Sequence, residues 1–270
     1  MKILLNSLEL KKELKNNHNL GFVPTMGSIH RGHMSLIQTS KKNCKKTIVS
    51  IFVNPTQFNN KNDYKNYPKN IKKDLSILRK LNVDYVFMPK INDVYKLKKN
   101  RKIKLNKTDL VLCAKYRRGH FEGVLDVIDR LTQFILPKKI FLGEKDFQQY
   151  FLIKKFLKHK YKTKVVMCRT IRSSNKVALS SRNLLLNKKN LFVASKIIKE
   201  LIKFKKLFSK TRNIEQHVLH KKKDLIKKYK VKVEYLDLRR VKDLKKSNTL
   251  KKSKIFIAYY LKKIRLIDNL

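Results

Sequence analysis

Residues 20–33 read LGFVPTMGSIHRGH, and most of the architecture can be argued outward from them. Leu20 to Pro24 make a short apolar run of strand type. A helical pattern begins at residue 33 and runs to 42. Between them stand Gly27, Gly32 and two histidines, His30 and His33, three residues apart. A strand that feeds a helix in this way opens the helix toward a ligand. The first helical N–H groups lack intrahelical partners, and the N-terminus carries partial positive charge. If the helix starts near His30, both imidazoles leave its first turn on one side. Gly27 and Gly32 let a ligand come close to the main chain. The pattern describes a phosphate site with two imidazole donors aimed at it.

Downstream, strand-like and helix-like segments alternate. Residues 47–55 (TIVSIFVNP) are a β-branched strand stopped by Asn54-Pro55. Ile71, Leu75, Leu78 and Leu81 recur at helical spacing and predict a helix over 69–82. A strand at 84–89, a helix at 121–136 ended by Pro137, a strand at 139–143, a helix at 147–160 and a strand at 163–171 follow. Residues 90–119 are polar and Lys-rich, with no firm pattern. The alternation predicts an α/β fold, a doubly wound parallel sheet occupying residues 1–174. From about residue 175 the style changes. Two Lys-rich amphipathic helices, 187–209 and 213–229, precede strand-like stretches at 231–240 and 254–268. These predict a small α+β domain over 175–270.

A chain of 270 residues that is 42% hydrophobic can bury a core and is not disordered throughout. No apolar run reaches the roughly 18 residues of a membrane helix. The opening MKILLNSLELKKEL is too short and too polar for a signal h-region, so a cytoplasmic location and no membrane partner are expected. Cys44, Cys113 and Cys168 are far apart and read as reduced structural thiols. Lys and Arg number 68 against 19 Asp and Glu, a net charge of +49. Only 13 of those cations are Arg, and they run through the whole chain. Such a surface binds RNA non-specifically at low salt, but it names no specific nucleic-acid partner.

Four further segments carry candidate chemistry. Gly143-Glu144-Lys145-Asp146 follows a strand and opens a helix at the same carboxyl edge. Lys145 could neutralise phosphate, Asp146 could meet a ribose or orient the lysine, and Gln149 could reach the cleft; taken alone, the segment is a polar turn. Leu179-Ser180-Ser181-Arg182-Asn183 offers two hydroxyls and a guanidinium to phosphate oxygens, or a capped helix start. Asn54 and Gln57, neutral amides after a buried strand, suit a hydroxylated acid. Arg117-Arg118-Gly119-His120 is a basic helix entrance that could meet a carboxylate. By contrast His217 and His220 share the three-residue spacing but sit in a Lys-rich helix with no glycine, and read as a solvated face.

In order and over nearly the whole chain, these segments resemble the pantothenate synthetase (pantoate–β-alanine ligase) family. The matching stretches are Val23 to His33, Ser50 to Phe58, Tyr67-Pro68, Arg117 to Val124, Leu142 to Gln149, Ser180 to Asn183, Tyr235 to Arg239 and Arg265 to Asn269. The resemblance implies a Rossmann-like sheet of the H-x-GH nucleotidyltransferase type with a small C-terminal lid, a cytosolic homodimer, and ATP with Mg²⁺. It implies ATP-dependent condensation of pantoate with β-alanine through a pantoyl adenylate, releasing AMP and pyrophosphate. It assigns ATP contacts to Met26, Gly27, Ser28, Ile29, His30, Arg31, Gly32, His33, Gly143, Glu144, Lys145, Asp146, Ile171, Leu179, Ser180, Ser181 and Arg182. His33 takes the proton-donor role, with His30, Lys145 and Arg182 beside it in catalysis. Gln57 and Gln149 correspond to pantoate contacts, and Asn54 is placed with them; metal ligands stay unassigned. Arg31, Lys73 and Leu142 depart from the family pattern, and Lys73 beside Asp74 weakens any metal role for that carboxylate. Two other readings use part of the same set: a different H-x-GH nucleotidyltransferase, or a basic RNA-binding protein with a decayed site.

Overall fold

The structure, a computed structural model, describes residues 1–15, 17–95, 103–208 and 214–270. The chain begins with β1 (Lys2–Leu4), α1 (Ser7–Leu14), β2 (Leu20–Thr25), α2 (Arg31–Asn43) and β3 (Lys46–Ile51). It continues through α3 (Lys61–Lys65), α4 (Ile71–Lys80), β4 (Tyr85–Phe87), α5 (Ile91–Tyr95), α6 (Cys113–Tyr116) and α7 (His120–Ile135). Then come β5 (Lys139–Gly143), α8 (Phe147–Leu157), β6 (Lys164–Cys168), α9 (Lys188–Leu207), α10 (Glu215–Tyr229), β7 (Lys232–Arg240), β8 (Ser253–Leu261) and β9 (Ile264–Asn269). These elements group into two compact units: Met1–Lys107 with Arg117–Thr170, and Thr108–Tyr116 with Ile171–Leu270.

In the first unit the described strands form a parallel sheet in the order β1-β4-β3-β2-β5-β6. The strands are apolar because helices cover them. Val23, Val49, Val86 and Phe141 pack with Leu36 and Ile37 of α2 and Leu78 of α4, all enclosed. β2 has β3 on one side and β5 on the other, so strand order reverses there. Ligands bind outside the carboxyl ends of strands at such a point. The loops after β2, β3 and β5 all leave from that edge.

In this unit the structure adds one segment to the sequence reading and shortens another. The first fourteen residues hold an edge strand and a helix. Asn6 Oδ1 accepts the N–H groups of Leu8 and Glu9, and Glu9 Oε2 accepts that of Leu5, a reciprocal cap that starts α1. The strand expected over 47–55 leaves the sheet after Ile51, because Asn54 and Pro55 open a 3-10 turn at Pro55–Gln57 instead. Of the polar stretch 90–119, residues 96–102 lie outside the described set; the remainder contains α5, a 3-10 turn at Lys107–Asp109, and α6.

The second unit is α+β. Its sheet is antiparallel in the order β7-β8-β9. Ile197, Leu201 and Phe204 of α9 and Val218 and Leu225 of α10 bury against Leu236, Ile255 and Ile257. The single strand-like stretch at 254–268 is a hairpin: Lys262 takes φ +54° and the chain reverses there. Lysine carries no turn signal, so the break is invisible to pattern reasoning. Residues 209 and 213, the expected inner ends of the two helices, lie outside the described set. Burial alone would raise the Glu200 carboxyl, but hydrogen bonds from Lys221, Lys228 and Tyr229 bring it down to about 2, tying α9 to α10.

Candidate active site

The loop after β2 is held by hydrogen bonds within the protein. Thr25 Oγ1 donates to the Ser50 carbonyl at 2.7 Å and accepts the Gly27 N–H at 3.1 Å. Gly27 and Ser28 then take positive φ, +79° and +53°. A Cβ on Gly27 would stand 2.9 Å from Asp74 Oδ2, so glycine is needed for both the angle and the space. Asp74, on α4 and 2% exposed, accepts the N–H groups of Ser28 at 2.8 Å and Ile29 at 2.7 Å. His30 caps α2: its Nδ1 accepts the Gly32 N–H at 3.1 Å, which leaves its proton on Nε2.

Those bonds account for three amides ahead of the helix and for one in its first turn. The N–H groups of Gly27, Ser28, Ile29 and Gly32 all have acceptors inside the protein. Buried amides need partners, and Thr25, Asp74 and His30 supply them.

The two imidazoles do face one another from the first turn. His33 lies one turn into α2, its ring centroid 4.0 Å from that of His30 with planes 31° apart. Burial, then the Lys145 charge, lowers His30 to about 4; burial, then His30 and Lys145, lowers His33 to about 3. Values that low leave both rings neutral at pH 7. His33 Nδ1 is enclosed without a hydrogen-bond partner among the described residues. Arg31 is exposed beside them.

At the end of β5, Gly143 leads into a 3-10 turn at Glu144–Asp146. Lys145 Nζ lies 3.7 Å from Asp146 Oδ1, with its side chain 16% exposed. Asp146 makes no side-chain cap on α8, so capping does not account for it. Gln149 is half-buried on α8.

After β3, Asn54 is 1% exposed and its amide is occupied within the fold. Its Nδ2 donates to the Gly123 carbonyl at 3.1 Å and to Gln57 Oε1 at 3.2 Å, and its Oδ1 accepts the Tyr95 hydroxyl at 2.6 Å. Gln57 Nε2 donates in turn to Met26 Sδ at 3.2 Å, which joins the β3 loop to the β2 loop. Arg117 faces His120 at 2.8 Å.

In the second unit, Leu179 N–H donates to the Ile171 carbonyl at 3.0 Å, so these two positions adjoin. Ser180 Oγ caps the 3-10 turn Ser181–Leu185 by accepting the Arg182 N–H at 3.3 Å; Ser181 is buried and Arg182 half-buried. His217 and His220 are exposed on α10, the first against Phe208 and the second 3.4 Å from Asp224. Pattern reasoning missed Asp74 as the clamp of the β2 loop and Tyr95 as the partner of Asn54. Asp74 reads locally as a favourable acid in a helix's first turn, which is true but incomplete. Among the described residues no group of three or more His, Cys, Asp or Glu is placed to hold a metal ion. Among them, too, no helix is long and apolar enough to cross a membrane.

A family model described as Pantoate-beta-alanine ligase matches residues 3–270. The pantothenate synthetase of Buchnera aphidicola subsp. Acyrthosiphon pisum is 39% identical, with 100% of this chain and 95% of that protein aligned. That of Flavobacterium psychrophilum is 36% identical over 97% and 94%. Among solved structures, the Thermus thermophilus pantothenate synthetase superimposes with a TM-score of 0.93 at 27% identity, covering 100% of this chain and 99% of that one. The Francisella tularensis pantoate-beta-alanine ligase, crystallised with beta-gamma ATP and β-alanine, gives 0.86 at 36% identity over 100% and 97%.

Proposed function

The chain belongs to the pantoate–β-alanine ligase family, and we propose that it condenses pantoate with β-alanine, using ATP, to form pantothenate. The observation that carries this reading is the neutral His30–His33 pair, at the start of α2, under the charge of Lys145. In the first step a pantoate carboxylate oxygen attacks the α-phosphorus of ATP and pyrophosphate leaves. In the second, the β-alanine amine attacks the acyl carbon of the adenylate, loses a proton, and AMP leaves with the bridging oxygen. Positioning and charge stabilisation supply most of the rate.

Each side chain has a part to play. His30 offers Nε2–H and His33 its own N–H to phosphate oxygens as charge builds. Negative charge brought beside them favours their protonated forms, which is how His33 becomes a proton donor. Lys145, oriented by Asp146, neutralises phosphate. Ser180, Ser181 and Arg182 hold the β- and γ-phosphates, an assignment resting on their motif alone. Gln57 and Gln149 hold pantoate, and Asn54 holds Gln57. Mg²⁺ would screen phosphate charge. Among the described residues no cage of ligating side chains stands ready for it, and both Asp74 oxygens accept amides, so it would ride on phosphate oxygens and water. We extend the proposal to a cytosolic homodimer, as the family resemblance implies.

The test is pyrophosphate release from ATP and Mg²⁺. Pantoate alone should give a burst of about one equivalent, and added β-alanine should convert it to steady AMP formation. Release that ignores pantoate would assign the chain to another acceptor.

A further inference from the structure

The motif at residues 117–124 does no chemistry in the reading above, yet its side chains converge on the turn that carries Gln57. Arg117 Nη1 lies 2.8 Å from His120 Nε2, and His120 Nδ1 lies 2.7 Å from the Gln57 carbonyl oxygen. A guanidinium has only donors, so Nε2 must accept and is bare. The ring proton therefore sits on Nδ1 and is donated to Gln57. His120 is 7% exposed and packed against Phe121, ring centroids 4.8 Å apart, so the ring has little room to turn over.

The same face of α7 is pressed onto the turn. A Cβ on Gly123 would come within 2.5 Å of the Thr56 carbonyl oxygen and 2.9 Å of the Gln57 nitrogen. The Gly123 carbonyl meanwhile accepts from Asn54. The Pro55–Gln57 turn is thus held from the main-chain side by His120 at 2.7 Å, with Arg117 Nη2 a more distant second donor at 3.5 Å, and from the side-chain side by Asn54. The Gln57 amide, its Oε1 accepting from Asn54, faces the β2 loop with Nε2 on Met26.

We propose that Arg117 and His120 form a positioning relay. Arg117 fixes the His120 tautomer, and the His120 Nδ1–H fixes the main chain of Gln57, so that its amide is preset for the hydroxy acid. The inference rests on the ligase reading and specifies which residues set acid affinity within it. In this relay both residues act through Gln57.

Three variants separate the relay from mere packing. An Asn amide nitrogen stands where Nδ1 stands, a Gln amide nitrogen stands where Nε2 stands, and Leu has neither. His120→Leu and His120→Gln should raise the pantoate KM about tenfold or more while the ATP KM moves less than about twofold, and His120→Asn should restore most of the loss. Equal effects on both substrates, or Asn behaving as Leu does, would overturn the relay. The wild-type chain supplies a second readout that needs no variant to fold. The ¹⁵N ring shifts of His120 should show a protonated Nδ1 and a bare Nε2, and the opposite tautomer overturns the relay. Absence of pantoate-dependent turnover in the wild type would instead overturn the ligase reading, leaving the tautomer result to judge the relay separately.

Discussion

Asp74 Oδ1 accepts the backbone N–H of Ile29 at 2.7 Å, and its other oxygen takes that of Ser28. A carboxylate 2% exposed thus holds the left-handed turn that delivers His30 and His33. Asp74→Ala strips acceptors from two amides, each lost partner costing about 1–3 kcal/mol. Urea denaturation should show a loss of about 2–4 kcal/mol, with adenylation falling alongside. A loss below about 0.5 kcal/mol would mean the loop holds itself.

Gly27→Ala tests the other half of that turn. A Cβ there meets Asp74 Oδ2 at 2.9 Å and Ile51 Cγ2 at 3.2 Å, at a φ of +79°. Left-handed strain alone costs about 1–2 kcal/mol. The thermal midpoint should drop by several degrees, and an unchanged midpoint would refute the close packing.

His33→Ala should reduce pantoate-dependent pyrophosphate release by about 10²–10⁴-fold, the scale of a positioned donor. Single-turnover kinetics measure it directly. A deficit under about threefold would remove His33 from the chemistry.

Gln57→Ala should raise the pantoate requirement far more than the ATP requirement, because the proposal places its neutral amide, held by Asn54, on the hydroxylated acid. Steady-state titration of each substrate at saturating levels of the other distinguishes the two. Parallel increases would place Gln57 with the nucleotide.

The His pair also predicts a pH response. Unfolded histidines bind protons near pH 6.5, whereas burial holds His30 at about 4 and His33 at about 3 in the folded chain. Between those values the unfolded state binds more protons, so this contribution to stability is full above about pH 6.5 and is lost as pH falls, through about 4 for His30 and about 3 for His33. Ring proton shifts should show both residues uncharged at pH 6, and a titration midpoint near 6.5 for either would contradict their burial.

Local chemistry made much of this legible. The strand that turns at Met26-Gly27, the helix after it and the His30/His33 spacing all follow from periodicities and propensities within a dozen residues. So does the alternation that yields a parallel sheet. The contrast with His217 and His220 was legible too, because the glycines and the preceding strand, not the spacing, mark the site. The hairpin at Lys262 was not, since lysine there adopts a backbone angle that its side chain does not announce.

What the fold alone decided are pairings across long stretches of chain. Asp74 reaches Ile29 from a helix 45 residues on, and His120 reaches the Gln57 carbonyl 63 residues back. Asn54, read in the sequence as a substrate contact, is hydrogen-bonded to Gly123, Gln57 and Tyr95. The reason is common to all three. A polar group enclosed by the fold must find a partner there, and which partner is available depends on which segments the sheet brings to one edge. No local pattern in the sequence carries that information.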